Sequence, residues 1–121
     1  MLEGNAMQSL NVSKNINLLY KKMNGIKTEY GMKPYQPIIT QIHQKTEEVD
    51  QLSKEEIVDY TKDLVRKAKE GTPLDDLLVD SFAATFVAIS RVLKLEAHDE
   101  QLVAGIALHQ GKLVEMQTGE G

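Results

Sequence analysis

The sequence predicts a mainly α-helical fold, a small domain of four to five helices with one strand at its C-terminal end. Apolar residues recur at helical spacing from about residue 38 to residue 109. Residues that start helices precede these runs, and glycines that end helices follow them. Aromatic residues make up only 5% of the chain and cysteine is absent, which indicates an aliphatic core and excludes disulfides and thiolate metal sites.

Charge is unevenly spread along the chain, whose formal net charge is −4. Residues 1–34 carry five lysines against two glutamates, so a basic head precedes an acidic body. An acidic body argues against nucleic-acid binding, whereas a basic head suits an anionic membrane surface or an acidic partner. No apolar run approaches the roughly 20 residues of a membrane-spanning helix, and the N-terminus does not resemble a signal peptide. We therefore expect a soluble, cytoplasmic protein.

The first 36 residues are predicted to form a flexible basic segment, separate from the domain at 37–121. Within this segment, apolar residues at helical spacing over 11–23 indicate a short amphipathic helix. That helix can serve a membrane surface or a partner, or it can equally be a core helix. Residues 24–37 contain two glycines and two prolines, which is typical of a linker.

Two helices are predicted next, over 38–50 and 54–70. Pro37 suits the first position of the first helix. Ser53 and Glu56 form a capping box that opens the second, and Gly71 ends it. The positions expected to be buried are Ile38, Ile39, Ile42, Val49, Leu52, Ile57, Tyr60, Leu64, Val65 and Ala68.

A third helix over 73–94 carries the longest apolar stripe, and Thr72-Pro73 is expected to cap it. A fourth helix over 99–109 begins with Asp99 as N-cap and ends before Gly111. The stripe comprises Leu74, Leu77, Leu78, Phe82, Phe86, Ile89, Val92 and Leu93, and the fourth helix holds Leu102, Val103, Ile106 and Leu108.

A short apolar strand is predicted over 113–116, followed by a glycine-rich turn that ends in Gly119-Glu120-Gly121. A strand running into such a turn is how a phosphate-binding loop begins, although a polar C-terminal tail is the alternative. The full motif needs a Lys and a Ser/Thr directly after the second glycine. Because the strand has no neighbouring strand in this chain, we expect 112–121 to be poorly ordered, to pair with another copy, or to pack irregularly.

Few polar residues suggest chemistry on their own. His43, His98 and His109 are too scattered for a metal site and are interpreted as solvated or capping residues. Glu47-Glu48 and Asp75-Asp76 are interpreted as surface charges, the second pair in the first turn of a helix. Gln101 is singled out because a carboxamide can both donate to and accept from the edge of an adenine.

From about Ile38 onward, the sequence resembles the SecA preprotein translocase ATPase family. Five segments carry the resemblance in the family's order: Leu52-Ser53-Lys54-Glu55-Glu56-Ile57 for L-S-x-E-E-L; Gly71, Leu74-Asp75-Asp76-Leu77-Leu78 and Ser81-Phe82-Ala83 for G-x-x-L-x-x-L-x-x-x-A-F-A; Arg91-Val92-Leu93 for R-V-[FL]; Asp99-Glu100-Gln101-Leu102, Gly105 and Leu108-His109-Gln110-Gly111 for D-x-Q-L…G…L-x-x-G; and Glu115-Met116-Gln117-Thr118-Gly119-Glu120-Gly121 for E-M-x-T-G-E-G.

The resemblance implies the adenine side of the first nucleotide-binding domain of an ATP-driven protein-export motor, with ATP and Mg²⁺ as cofactors of the parent. Gln101 falls on the family's adenine-reading glutamine. Leu95 and His98 fall near positions that pack against the base, where the family often has an aromatic ring at the place of His98. Thr118, Gly119, Glu120 and Gly121 fall on the phosphate loop, and the strand over 113–116 would belong to a parallel sheet of the parent motor.

The implied partners of the parent are a SecY-type channel, unfolded secretory proteins and an anionic membrane surface, to which it would attach peripherally from the cytoplasm. Because the phosphate-loop Lys and Thr would lie beyond Gly121, the chain is expected to be an N-terminal fragment that is inactive alone and binds no nucleotide. The alternative is a free-standing helical interaction module that derives from the motor's front end and uses no nucleotide.

Overall fold

A computed structural model describes residues 31–117, and these form four α-helices. The helices are α1 (Gln36–Val49), α2 (Lys54–Lys69), α3 (Leu74–Ala88) and α4 (Asp99–His109). A 3₁₀ turn, Lys33–Tyr35, leads into α1, and a π-helical turn, Ile89–Leu93, continues α3. The prediction of a mainly helical domain is confirmed. No helix within 31–117 has both the length and the apolar character that crossing a membrane requires.

Local chemistry sets several helix ends where the sequence predicts them. The capping box of α2 is formed: the Ser53 N–H donates to Glu56 Oε2 at 2.7 Å, and the Glu56 N–H donates to Ser53 Oγ at 3.2 Å. These bonds from Ser53 hold the pKa of the Glu56 carboxyl below its ordinary value. Gly71 ends α2 with a φ of 95°, and Gly111 ends α4 with a φ of 75°. Both glycines adopt the left-handed conformation that closes a helix at low steric cost.

The core consists of two apolar clusters that share α1 and α3. The first joins the start of α1 to α4, and its buried members are Tyr35, Ile39, Ile42, Leu78, Leu102, Ile106 and Ala107. The second joins the end of α1 to the face of α2, with Val49, Ala83 and Val87 buried and Leu52, Ile57 and Tyr60 packed against them. Thus α1 and α3 form the centre of the domain, and α4 and α2 pack at its two ends.

Several predicted core positions are wrong. No residue of α2 is fully buried, and Val65 is exposed, because this helix contacts the domain through one narrow face. Leu74 and Leu108 are exposed at the first turn of α3 and the last turn of α4. Val92 and Leu93 are exposed too, since they lie in the π-helical turn, where the wider winding breaks the 3.6-residue stripe.

Two predicted helix starts also need correction. The N-cap of α3 is Pro73, with no side-chain capping bond, so Thr72 does not cap the helix. The N-cap of α4 is His98, and Asp99 is already its first helical residue. The uninterrupted helix predicted over 73–94 instead changes to π-helical winding after Ala88.

The strand predicted over 113–116 is not formed. Residues 112–117 have no regular secondary structure, and the part of the chain that the structure describes contains no strand. Val114 packs against the first cluster, whereas Leu113 is 100% exposed. A single strand without a neighbour leaves its N–H and C=O groups unpaired, which accounts for the irregular packing. The amphipathic helix predicted over 11–23 lies outside the described residues, and the division into 1–36 and 37–121 stays a prediction.

Candidate functional site

Residues 89–101 connect α3 to the first turn of α4, and we call this segment the α3–α4 elbow. It begins with the π-helical turn Ile89–Leu93, a winding that often marks functional positions. Lys94 follows with φ 57° and ψ 33°, and its N–H donates to the carbonyl oxygen of Ser90 at 3.1 Å. Residues 94–98 then have no regular secondary structure. The left-handed residue turns the chain away from the axis of α3 and starts this irregular stretch.

Gln101 folds back onto the backbone at the entrance to α4. The His98 N–H donates to Gln101 Oε1 at 3.0 Å, which is the side-chain half of a capping box. The His98 carbonyl oxygen in turn accepts from the N–H groups of Gln101 and Leu102, at 3.0 and 3.1 Å. Leu102 is 0% exposed in the first cluster and anchors this turn to the core. The carboxamide of Gln101 is therefore oriented by its own helix terminus.

Arg91 ties the beginning of the elbow to the end of α1. Its Nη1 donates to the Leu52 carbonyl oxygen at 2.9 Å, and its Nη2 donates to the Asp50 carbonyl oxygen at 2.5 Å. Its Nε also donates to Asp50 Oδ1 at 3.1 Å. The guanidinium thus bonds the C-cap carbonyl of α1 and a carbonyl of the loop that follows this helix.

His43 ties the other end of the elbow to α1. Its Nε2 lies 2.7 Å from Oδ1 of Asp99, the first residue of α4. An ionised carboxylate can only accept, so Nε2 carries the hydrogen of this bond. Both side chains are partly open to solvent, with 49% and 41% of their surfaces exposed. The elbow is consequently attached to α1 near each of its ends.

The three predicted base-side residues all lie in the elbow, within seven positions of one another. Leu95 is 60% exposed, His98 is exposed and Gln101 is half-buried. An exposed aliphatic side chain and an exposed imidazole ring thus lie close in sequence to an oriented carboxamide. Such a combination can pack against a flat heterocycle and hydrogen-bond to its edge. The four predicted phosphate-loop residues, Thr118, Gly119, Glu120 and Gly121, lie outside the described residues.

Other polar residues form hydrogen bonds and ion pairs away from the elbow. His109 Nε2 lies 2.6 Å from Asp75 Oδ1 and links the end of α4 to the start of α3. Lys112 Nζ donates to the Tyr35 hydroxyl at 3.1 Å and lies 5.3 Å from the centre of its ring. Lys45 Nζ lies 2.5 Å from Glu48 Oε2 on the surface of α1. Between residues 31 and 117, no three potential metal-ligating side chains come together.

Sequence reasoning missed the roles of His43 and Arg91 in holding the elbow. It interpreted His43 as a solvated or capping residue, and Arg91 entered only as part of a family motif. His43 and Asp99 are 56 residues apart, and Arg91 and Asp50 are 41 apart, so no local spacing signals either contact. Only the packing of α4 and the elbow beside α1 brings them together.

Comparisons with known proteins give a consistent family. The model of the SecA DEAD-like domain matches residues 20–121. Protein translocase subunit SecA of Elusimicrobium minutum is 41% identical over 106 residues, and that of Clostridium tetani is 37% identical over 103 residues. Protein translocase subunit SecA 1 of Bordetella avium is 40% identical over 103 residues.

These alignments cover 85–88% of this chain but only 11–12% of each relative. No solved structure matches the chain significantly. The family model covers most of the sequence, including every segment that carries the resemblance from Leu52 to Gly121. The chain belongs to the SecA DEAD-like domain family.

Proposed function

We propose that this chain supplies the adenine-reading side and the first half of the phosphate loop of a SecA-type ATP-driven protein-export motor. The observation that carries the proposal is the bond from the His98 N–H to Gln101 Oε1, at 3.0 Å. It holds a carboxamide in the first turn of a helix, a few residues after Leu95 and His98, whose side chains are exposed. Family membership supports the same assignment.

Gln101 would read the adenine edge through both groups of its carboxamide. The nitrogen would donate to N7 of the base, and the oxygen would accept from the N6 amino group. A carboxamide oxygen can accept two hydrogen bonds, so the bond from His98 and one from the base are compatible. Leu95 and His98 would cover the face of the ring. Adenine specificity would then arise from Gln101, and apolar contact would supply part of the affinity.

The phosphates would be held elsewhere. Thr118, Gly119, Glu120 and Gly121 would offer backbone N–H groups to the triphosphate, and Mg²⁺ would neutralise its charge. The Lys and Thr of the complete loop would follow Gly121. Because the chain spans only 11–12% of the relatives' length, we assign ATP hydrolysis to a longer protein and not to this chain alone.

The same longer protein would push unfolded secretory proteins through a SecY-type channel, working from the cytoplasmic face of the membrane. The basic segment 1–36 would assist by binding anionic lipid. Vesicles with anionic headgroups should recruit the chain, and added salt should release it, because exposed charges are screened within about 10 Å at 0.1 M salt. Deleting residues 1–31 should abolish recruitment and leave the melting of the helical core unchanged, because this deletion spares Tyr35, which is buried in the first cluster. An unfolded core after this deletion would make the segment structural instead.

Calorimetry with Mg·ATP tests the nucleotide assignment. A bidentate base contact is worth about 1–3 kcal/mol, whereas millimolar affinity already requires about 4 kcal/mol. The 121-residue chain should therefore show no measurable binding, and a version extended through the phosphate-loop Lys, Thr and following helix should bind. Gln101→Ala in the extended version should weaken binding of ATP. Micromolar binding by the 121-residue chain that Gln101→Ala removes would show that the adenine side suffices alone.

The second candidate is a helical interaction module that uses no nucleotide. Exposed apolar side chains in the elbow favour it, since Val92 is 76% exposed and Leu93 and Leu95 are each exposed by more than half. Exposed apolar side chains can contact a protein as readily as a base. The reading frame after Gly121 separates the two candidates: Lys-Thr followed by a later acidic Walker B residue favours the motor.

A further inference from the structure

We infer that His43 is a positioning residue for adenine recognition: through Asp99, it sets the placement of the α4 terminus that carries Gln101. The inference rests on the proposed function, since it concerns the same adenine-reading glutamine. It adds a residue from α1, a helix that contributes no predicted contact to the base.

The contact lies two residues from the functional carboxamide. Asp99 is the first residue of α4, and Gln101 is the third. His43 Nε2 donates to Asp99 Oδ1 at 2.7 Å, which is a short distance for a nitrogen donor and a carboxylate acceptor. Because a helix terminus is rigid over one turn, a force on Asp99 moves the backbone that orients Gln101.

The stretch before Asp99 makes this contact consequential. Residues 94–98 have no regular secondary structure, so the N-terminal turn of α4 is not held by a continuous helix on that side. Leu102 anchors the buried side of the turn, and the bond from His98 orients the Gln101 carboxamide within it. The His43 bond adds a directed attachment on the solvent side. Apolar burial is non-directional, whereas a hydrogen bond fixes a direction.

His109 offers a matched control. Its Nε2 lies 2.6 Å from Asp75 Oδ1, so it also joins α4 to a neighbouring helix through an aspartate. This pair lies at the opposite end of α4, at the last helical residue. Loss of either pair should loosen the packing of α4 to a similar extent. Only loss of the His43 pair should disturb the turn that holds Gln101.

The experiment measures ADP and GDP affinities of the chain extended through the phosphate-loop Lys, Thr and following helix. His43→Leu should lower ADP affinity by about three- to fivefold, the size expected for one partly exposed hydrogen bond to a carboxylate, and leave GDP binding unchanged. His43→Gln keeps a donor and should restore most of the lost affinity. His109→Leu should leave the ratio of ADP to GDP affinity unchanged, even where it lowers the melting temperature. In an Asp99→Asn background, His43→Leu should have a smaller effect, because its partner is already altered.

Gln101→Ala distinguishes the adenine-reading role of Gln101 from the positioning role of His43. If Gln101→Ala lowers ADP affinity and His43→Leu does not, the positioning role is overturned and the proposed function stands. If His109→Leu changes the ratio as much as His43→Leu does, the effect is general packing and the positioning role is likewise overturned. If Gln101→Ala changes nothing, the adenine assignment itself falls, and the role of His43 falls with it.

Discussion

Gly105 of α4 lies against the ring of Phe82 of α3, so closely that a Cβ added to the glycine would come within 2.8 Å of Phe82 Cε1. Real side chains essentially never approach each other so closely, so the two helices meet here because the glycine has no side chain. Phe82 itself packs against the first cluster, so its ring has little room to move away from an added side chain.

Gly105→Ala is therefore expected to destabilise the domain by about 1–3 kcal/mol through overpacking. A loss of stability would distinguish overpacking from helix propensity, because alanine in place of glycine inside a helix ordinarily stabilises by about 1 kcal/mol. Urea denaturation monitored by circular dichroism measures the change. Phe82→Leu in the same chain should recover part of the loss, and a gain in stability from Gly105→Ala alone would contradict the close approach.

Arg91→Ala should cost about 1–3 kcal/mol, because the guanidinium bonds two carbonyl oxygens and one carboxylate at the end of α1. Arg91→Lys should recover only a small part, since an ammonium group cannot span these acceptors. The thermal melting temperatures of the variants provide the measurement. Arg66→Ala is the control: Arg66 pairs with two carboxylates on the exposed surface of α2, where such pairs contribute little. Equal losses from Arg91 and Arg66 would contradict the attachment.

Tyr60 donates its hydroxyl hydrogen to Asp80 Oδ1, joining α2 to α3. Partial burial, the bond to Asp80 and the charges of Asp80 and Glu48 all raise the pKa of the Tyr60 phenol. A raised pKa in the folded state contributes stability below the unfolded value of about 10, and this contribution is lost as pH rises further.

Tyr60→Phe should therefore lower the free energy of unfolding by about 1 kcal/mol at neutral pH. The difference between the two proteins should shrink only once the pH exceeds about 10. Urea midpoints measured at a series of pH values test both statements. A difference that disappears well below that pH would contradict the assignment to the phenol.

Lys94→Gly is expected to stabilise the domain by about 0.5–1 kcal/mol. Lys94 has a φ of 57°, a left-handed conformation that costs a residue with a Cβ more than it costs glycine. Lys94→Ala removes the same charge and keeps the Cβ, so it should bring no such gain. Chemical denaturation measures the stability of both variants. Equal stability changes in the two would show that the effect comes from the lost charge and not from the backbone conformation.

Local chemistry in the sequence predicts the features that depend on neighbours in the chain. The capping box at Ser53 and the glycine at the end of α2 are examples, because each acts within a few residues. The apolar stripe likewise predicts α3, but not its change to π-helical winding at Ile89. That change alters the exposure of Val92, and a pattern of fixed 3.6-residue period cannot anticipate it.

The candidate site likewise contains one residue that the sequence predicts and several contacts that only the structure shows. Family resemblance predicts Gln101 as the adenine-reading residue, and the structure adds how His98 orients it. The attachment of Asp99 to His43 and of Arg91 to Asp50 depends on how helices pack across long separations in sequence. A single sequence contains no local signal for such contacts, because the partners come together only in the folded domain.

His43 of α1 and Asp50, the C-cap of the same helix, both hold the elbow and are seven positions apart. Seven residues make almost two full turns, so both project from nearly the same side of the helix. Ile42 and Val49, the neighbours that each precede one of them, are buried with the same separation. Inserting or deleting one residue between these positions would rotate one half of α1 by about 100° against the other. We expect this stretch to accept many substitutions among homologues, but no change in its length.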